Sequence, residues 1–146
     1  MNVTSFLKKA DLKSVRVTVD AANKKLGKVA CEVAKVLRGK NNQYTPHMTR
    51  SLKVKVDVIN VDQIELSGTK RKTKIYRKHT GFFGHLHETT FERLSAKKFD
   101  EPLKLAIRGM LGSSKNSFKN ALIAKVNFHR GVILDTSEDA RQKGEN

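Results

Sequence analysis

The chain has 146 residues, of which 38% are hydrophobic and 30% charged, and this composition predicts one globular domain with a buried core. It carries 30 Lys and Arg residues against 14 Asp and Glu, and the resulting net charge of +16 predicts a polyanionic partner such as nucleic acid. A single cysteine excludes an intrachain disulfide, and no apolar run is long enough for a membrane span or a signal-peptide core, so we expect a soluble protein in a reducing compartment with no membrane partner.

The first predicted elements are a strand and a helix. A β-branched run from Arg16 to Val19 predicts the strand. A helix begins near Leu26, and Gly39 stands just past its end, where glycine commonly terminates helices. The apolar stripe of this helix consists of Leu26, Val29, Ala30, Val33, Val36 and Leu37. Cys31 lies within the same pattern, which favours a buried thiol over a nucleophile.

Two further strands are predicted in the middle of the chain. Lys53–Asn60 first alternates and then becomes apolar at Val58 and Ile59, which is typical of a parallel sheet covered on both faces. Thr73–His79 predicts a very basic strand. After the glycine-containing segment Thr80–Gly84, we expect the chain to turn helical.

Helices dominate the remaining prediction. Residues 89–94 suit a short helix, and Asp100 is a candidate N-cap for the next one. A third helix is predicted over Asn116–Ala124 and a final strand over Lys125–Phe128. The alternation of strands and helices, without an internal repeat or a linker, predicts an α/β fold.

We expect the domain to span residues 16–131, between an N-terminal arm (1–15) and a polar tail (132–146). The tail holds four acidic and two basic residues, whereas the preceding part of the chain carries a net charge of +18. We therefore expect the tail to lie away from a polyanion.

The densest functional signal is the segment from Lys70 to Lys78, in which six of nine residues are basic. If the segment is extended, Lys74, Tyr76 and Lys78 share one face. Tyr76 could then stack or hydrogen-bond while the cations hold phosphates. A solvated charged loop is the alternative, and the charge of the whole chain favours binding.

Aromatic and histidine residues follow this segment. Phe82 and Phe83, between two glycines, could present a ring for stacking or could fill the core, and the sequence leaves both readings open. The histidines at 79, 85 and 87 suggest a metal site, but their cationic surroundings oppose one, so we predict no metal. A ribonuclease using His47 and His79 with a lysine lacks an orienting partner, and we assign no catalytic residue.

Short motifs in a fixed order resemble the bacterial-type family of large-subunit ribosomal protein thirteen. They are Val19-Asp20-Ala21, Leu26-Gly27-Lys28-Val29-Ala30, Leu37-Arg38-Gly39-Lys40, Tyr44-Thr45-Pro46-His47, Val58-Ile59-Asn60, Leu66-Ser67-Gly68-Thr69-Lys70, Lys74-Ile75-Tyr76, His79-Thr80-Gly81-Phe82-Phe83-Gly84 and Gly109-Met110-Leu111. Each motif alone has low specificity, whereas their order along the chain is specific. The chain departs from the family at Arg16, where Trp is usual, at Gly112, where Pro is usual, and after Gly131, where a His-Pro-His-rich segment is missing.

The resemblance implies a three-layer α/β/α single domain with a mostly parallel sheet, in agreement with the predicted elements. It implies a protein that binds large-subunit ribosomal RNA, enters the particle early in assembly and contacts neighbouring large-subunit ribosomal proteins. It places the protein in the cytoplasm, with an organellar ribosome as the alternative. We expect no cofactor and no small-molecule substrate.

Carried over by position, the resemblance assigns RNA contacts to the end of the first helix, to Pro46-His47 and to the segment from Lys70 to Gly81. With other basic positions added, the candidate RNA-binding residues are Lys24, Lys25, Lys28, Arg38, Lys40, Pro46, His47, Lys70, Arg71, Lys72, Lys74, Tyr76, Arg77, Lys78, His79, Thr80, Gly81, Arg108 and Lys115.

The sequence therefore predicts a structural constituent of the large ribosomal subunit without catalysis of its own. A free RNA-processing enzyme is one alternative, and it would lose activity when His79 is replaced. A DNA-compacting protein is another, and it would prefer duplex DNA to ribosomal RNA at matched salt. The sequence contains no wedge-bearing arm and no basic recognition helix of the kind that such DNA binders use.

Overall fold

The computed structural model describes residues 15–39, 54–112 and 115–131. In chain order, the helices and strands in these ranges are β1 (Val15–Asp20), α1 (Leu26–Leu37), β2 (Val54–Ile59), α2 (Lys70–Thr73), β3 (Ile75–His79), β4 (Leu86–Thr90), α3 (Phe91–Lys97), α4 (Glu101–Met110), α5 (Asn116–Ile123) and β5 (Val126–Phe128). A short 3-10 turn, Val61–Gln63, follows β2. The predicted arm, apart from Val15, and the predicted tail lie outside the described residues.

Strands β1, β2 and β5 form a parallel sheet with β2 in the centre. Val54, Val56 and Val58 alternate along β2 and are all buried, which places one face of the sheet against the core. Helix α1 connects β1 to β2 and packs against both strands, as a crossover between parallel strands requires. The predicted α/β domain with a mostly parallel sheet is confirmed.

Helix α1 meets the core through the predicted stripe. Its buried residues are Leu26, Val29, Ala30, Val33, Ala34 and Leu37, whereas Val36 is only half-buried. Helix α4 packs on α1 and contributes Leu103 and Ile107, which are completely buried. None of the helices in the described ranges is long and apolar enough to cross a membrane.

The prediction of a buried Cys31 is wrong, because this side chain is exposed. Cys31 follows Lys28 by three positions and precedes Lys35 by four, and both lysines are exposed. Residues at these spacings share one face of a helix, so Cys31 belongs to the solvent side of α1.

The segment after Gly84 also differs from the prediction, because Leu86–Thr90 forms strand β4 before α3 begins. It pairs antiparallel with β3, which supplies partners for the backbone groups of both strands. The predicted strand over residues 73–79 is shortened, because Lys70–Thr73 forms a single helical turn.

Asp100 precedes α4 as predicted, but its side chain does not cap the helix. The carboxylate forms an ion pair with Lys104, one turn further along. The true side-chain cap lies at α3, where the hydroxyl of Thr90 accepts a hydrogen bond from the backbone N–H of Arg93 at 3.5 Å.

The sheet face opposite the buried valines carries a buried carboxylate, Asp57, which is only 1% exposed. Arg16 Nε donates to Oδ2 of Asp57, and Asn127 Nδ2 donates to Oδ1 at 2.8 Å. The Arg16 hydrogen bond holds the pKa of Asp57 below its usual value, and Asn127 acts in the same direction against the opposing effect of burial. The departure from the family pattern at Arg16 thus supplies the partner of a buried charge.

Candidate nucleic-acid interface

The candidate interface is the segment 70–90, called here the basic hairpin. It comprises α2, β3, the connecting loop and β4. Its side chains are exposed except for Tyr76, Thr89 and Thr90, which are half-buried. Glu88 is its only carboxylate, against six basic residues. This surface is therefore strongly cationic and largely open to solvent.

The register of β3 and β4 sorts the side chains of the basic hairpin onto two faces. Tyr76 lies opposite Thr89, and Lys78 lies opposite His87. Residues directly opposite each other in an antiparallel pair project to the same side, so these four share a face. The ammonium of Lys74 lies 5.4 Å from the centre of the Tyr76 ring, which adds a cation to that face.

The other face carries the internal ion pair of the hairpin. Arg77 Nε donates to Glu88 Oε1 at 2.6 Å, across the two strands. Lys74 and Lys78, in contrast, have no carboxylate of the described residues within ion-pair distance. Arg77 is thus partly neutralised within the chain, and the two lysines are the stronger candidates for phosphate contacts.

The tip of the hairpin exposes two aromatic rings. Phe83 is 104% exposed and Phe82 is 73% exposed, so the interpretation that they fill the core is wrong. Gly81 at φ +96° and Gly84 at φ +73° flank the rings with a backbone conformation that favours glycine. The loop is held by a hydrogen bond from the His85 N–H to the Phe82 carbonyl at 3.3 Å. This geometry presents the rings for stacking.

The histidines of the hairpin do not converge. His79 lies opposite Leu86 and His87 opposite Lys78, which places the two imidazoles on different faces. His79 Nδ1 accepts a hydrogen bond from the Gly81 N–H at 3.0 Å, so its role in the described structure is to shape the turn. No group of three or more potential metal ligands occurs within residues 15–39, 54–112 and 115–131.

A groove separates the basic hairpin from helices α3 and α4, and it has a volume of about 640 Å³. We call it the hairpin groove; its lining is Lys74, Tyr76, Arg77, Lys78, His87, Thr89, Leu94, Glu101, Leu105, Ala106 and Arg108. The hydroxyl of Tyr76 is buried and has no hydrogen-bond partner among the described residues. Burial also raises the pKa of Tyr76, so the hydroxyl stays protonated and can donate at neutral pH.

The remaining predicted site residues do not form one cluster. The groove brings Arg108 to the hairpin lysines, while Arg71 lines a different groove that also contains Asp62 and Phe91. Lys24 pairs with Glu32 at 3.7 Å, near the start of α1. The other described candidates are exposed, namely Lys25, Lys28, Arg38, Lys70, Lys72, Thr80 and Lys115. Lys40, Pro46 and His47 lie outside the described residues.

Sequence reasoning missed the second wall of the hairpin groove. Leu94 lies in α3, Leu105 and Ala106 lie in α4, and no local sequence pattern relates them to Tyr76. Strand β4 was also missed, although the sequence contains two signals for it. One is the β-branched pair Thr89-Thr90, and the other is a loop with two glycines between the oppositely charged Arg77 and Glu88.

Comparison with known proteins identifies relatives among the proteins of the large ribosomal subunit. The family described as Ribosomal protein L13 matches residues 14–133. Large ribosomal subunit protein uL13 of Synechocystis sp. is 41% identical over 114 residues, which cover 77% of this chain and 73% of the relative. The protein of the same name from Francisella philomiragia is 37% identical over 129 residues, or 88% of each chain. That of Borrelia garinii is 40% identical over 111 residues, or 75% of this chain and 71% of the relative.

These matches define the class as structural ribosomal proteins rather than enzymes. Within that class, the chain belongs to the ribosomal protein L13 family. The family indicated by the ordered motifs is therefore confirmed, as is the interpretation that the protein is not an enzyme.

Proposed function

We propose that this chain is a structural constituent of the large ribosomal subunit that binds large-subunit ribosomal RNA and supports early assembly of the particle. In this role it contacts neighbouring ribosomal proteins and resides with the ribosome in the cytoplasm. The names of its relatives support the assignment to the large subunit. The observation that carries the RNA-binding role is the basic hairpin, whose exposed cations outnumber its single carboxylate.

The mechanism is electrostatic and geometric. Lysines and arginines of the hairpin neutralise phosphates where RNA segments pack closely, and each neutralised phosphate releases condensed counterions. The α/β domain fixes the relative positions of these cations. Specificity comes from RNA shape and from backbone and ribose contacts, because side chains cannot enter the narrow major groove of A-form RNA.

The domain boundaries form part of the proposal. Residues 16–131 constitute the RNA-binding domain, preceded by the arm 1–15 and followed by the polar tail 132–146. Protease digestion of the RNA complex tests this division, because a protected fragment that ended well inside 16–131 would contradict it.

Replacement of Lys70, Arg71 and Lys72 by Ala tests the role of the basic hairpin. The matched control replaces Lys35, Lys97 and Lys98, three exposed lysines outside the predicted site, and removes the same charge. Binding of large-subunit ribosomal RNA is measured over a series of salt concentrations. Each lost phosphate contact should reduce the slope of log K against log salt by about 0.7–0.9.

We expect the hairpin variant to lose a slope of about 2 relative to the control, with unfolding free energies nearly unchanged for both. Equal slopes in the two variants would show that the cluster is only solvated. Preferential binding of duplex DNA over the ribosomal RNA at matched salt would instead support a DNA-compacting protein.

A further inference from the structure

The hairpin groove has the size of a site for a small group. One wall is the face of β3 and β4 that carries Tyr76 and Thr89, and the other is formed by α3 and α4 through Leu94, Leu105 and Ala106. Its volume of about 640 Å³ falls within the range of about 300–1,000 Å³ that is usual for small-ligand sites. A nucleic-acid duplex is far too wide for such a groove, whereas a single base fits.

The interior combines apolar walls with one unsatisfied polar atom. The Tyr76 ring and the aliphatic side chains of Leu94 and Leu105 offer apolar surface. The Tyr76 hydroxyl is buried beside them without a partner among the described residues. Because this hydroxyl is closed to solvent, the Tyr76 side chain has to shift before the hydrogen-bonding edge of a base can reach it. The new hydrogen bond would remove the free-energy cost of an unpaired buried hydroxyl.

The rim is cationic. Lys74, Lys78 and Arg108 line the groove, and none of them has a described carboxylate within ion-pair distance. Glu101 is the single carboxylate of the lining. The phosphates on either side of an inserted nucleotide would meet these cations, which gives the groove charge complementarity to a nucleic-acid strand.

We propose that the hairpin groove binds one unpaired nucleotide of RNA, with the base between Tyr76 and helix α4 and the flanking phosphates at the cationic rim. The proposal rests on the proposed RNA-binding function and names the structural feature of RNA that is recognised. Unpaired bases that can stack on aromatic side chains are the usual targets of specific RNA recognition. An acidic peptide would satisfy the rim but leave the apolar walls without a matching group.

The test measures binding of the full chain to three probes: a single-stranded RNA hexanucleotide, an RNA duplex with the same number of phosphates, and a peptide of six glutamates. Ala106→Phe fills the groove, and Tyr76→Phe removes only the hydroxyl. Ala96→Phe is the matched control, because Ala96 is exposed on α3 and does not line the groove.

We expect Ala106→Phe to weaken hexanucleotide binding at least tenfold and Tyr76→Phe to weaken it severalfold, while duplex binding and the Ala96→Phe control stay at the wild-type level. Methyl resonances of Leu94 and Leu105 should shift when the hexanucleotide is added. Tyr76→Phe keeps the ring and its packing, so its result stands even where Ala106→Phe lowers stability.

Hexanucleotide binding that is unchanged in both groove variants would overturn the proposal, as would hexaglutamate binding that is lost in Ala106→Phe while hexanucleotide binding is kept. Binding of large-subunit ribosomal RNA and its salt slope are measured on the same proteins. If these persist while the groove variants have no effect, the nucleotide site fails and the proposed function stands. If the wild-type protein does not bind the ribosomal RNA, the proposed function itself fails.

Discussion

Asp57 and Phe83 differ in solvent exposure, and we expect the buried residue to affect folding stability and the exposed one to affect RNA binding. Asp57 is almost fully buried, and its oxygens are satisfied by Arg16 and Asn127. Phe83 contacts little of the domain and stands at the hairpin tip. Replacing the first should change the folding free energy, and replacing the second should change binding to RNA.

Asp57→Asn should destabilise the protein by about 1–3 kcal/mol at neutral pH, because it weakens charged hydrogen bonds to a buried acceptor. The pKa of Asp57 in the folded state is lowered from its usual value of 3.8, so the unfolded state binds the proton first as the pH falls. The stabilisation is therefore complete above the unfolded pKa and is lost as the pH drops through the folded pKa. Chemical denaturation over a pH series measures this change.

As the pH falls between the unfolded and the folded pKa of Asp57, the wild-type protein should lose more unfolding free energy than Asp57→Asn. The unfolding free energies of the two proteins should therefore converge at low pH. Asp62→Asn is the control, because Asp62 is exposed and forms only a long ion pair of 3.8 Å with the exposed Arg130 in the described structure. Its stability should stay within about 0.5 kcal/mol of the wild type. Parallel pH curves for the wild type and Asp57→Asn would contradict this account.

Phe83→Ala should weaken RNA binding by about 1–3 kcal/mol if the exposed ring stacks on a base. Its unfolding free energy should change by less than about 0.5 kcal/mol, since the ring is fully exposed in the described structure. Phe91→Ala is the opposite case, because this core residue is 8% exposed and its loss should cost about 3–5 kcal/mol of stability. Filter binding and denaturation measure the two quantities, and unaltered RNA affinity in Phe83→Ala would refute the stacking role.

At the scale of elements, the loop of the β3–β4 hairpin depends on glycines at positive φ. Gly81 adopts φ +96°, which other residues rarely accept, although a Cβ there would meet no atom within 4 Å. Gly109 in α4 also has open space but an ordinary helical backbone. Since neither position has a steric conflict, alanine substitutions at the two sites compare a strained backbone conformation with an unstrained one.

Gly81→Ala should destabilise the hairpin by about 1–2 kcal/mol, because an L-residue is strained at positive φ. Gly109→Ala should instead stabilise α4 by up to about 1 kcal/mol, since alanine is the better helix former. Hydrogen exchange of the backbone amides in β3 and β4, compared with those in α4, reports both effects. Slower exchange in the hairpin of Gly81→Ala would be inconsistent with the strained turn.

Elements with strong apolar periodicity were predictable from sequence, and those defined by pairing were not. Helix α1 and strand β2 show their periodicity within the segment itself, and the structure has both close to the predicted bounds. Strand β4 has few apolar residues, and its strand character comes from pairing with β3. The hairpin groove requires the packing of α4 beside that pair, which no local pattern contains.

At the scale of the whole molecule, the net charge of +16 opposes compaction until an anionic partner neutralises it. The charge is unevenly distributed over the molecule. The core beneath the main sheet is apolar, whereas the basic hairpin exposes cations and two phenylalanine rings. The chain belongs to the ribosomal protein L13 family, and a surface of this kind fits the RNA-binding role that we propose for it.

Mapping of protein–RNA crosslinks in large subunits isolated on a sucrose gradient tests whether the basic hairpin contacts RNA within the large subunit. The full chain is expressed with an affinity tag, crosslinked by ultraviolet light and analysed by mass spectrometry of RNA-bound peptides. We expect the chain to sediment with the large subunit and its precursors, with crosslinks in residues 70–90. Failure to sediment with the large subunit, or crosslinks confined to other parts of the chain, would contradict the account.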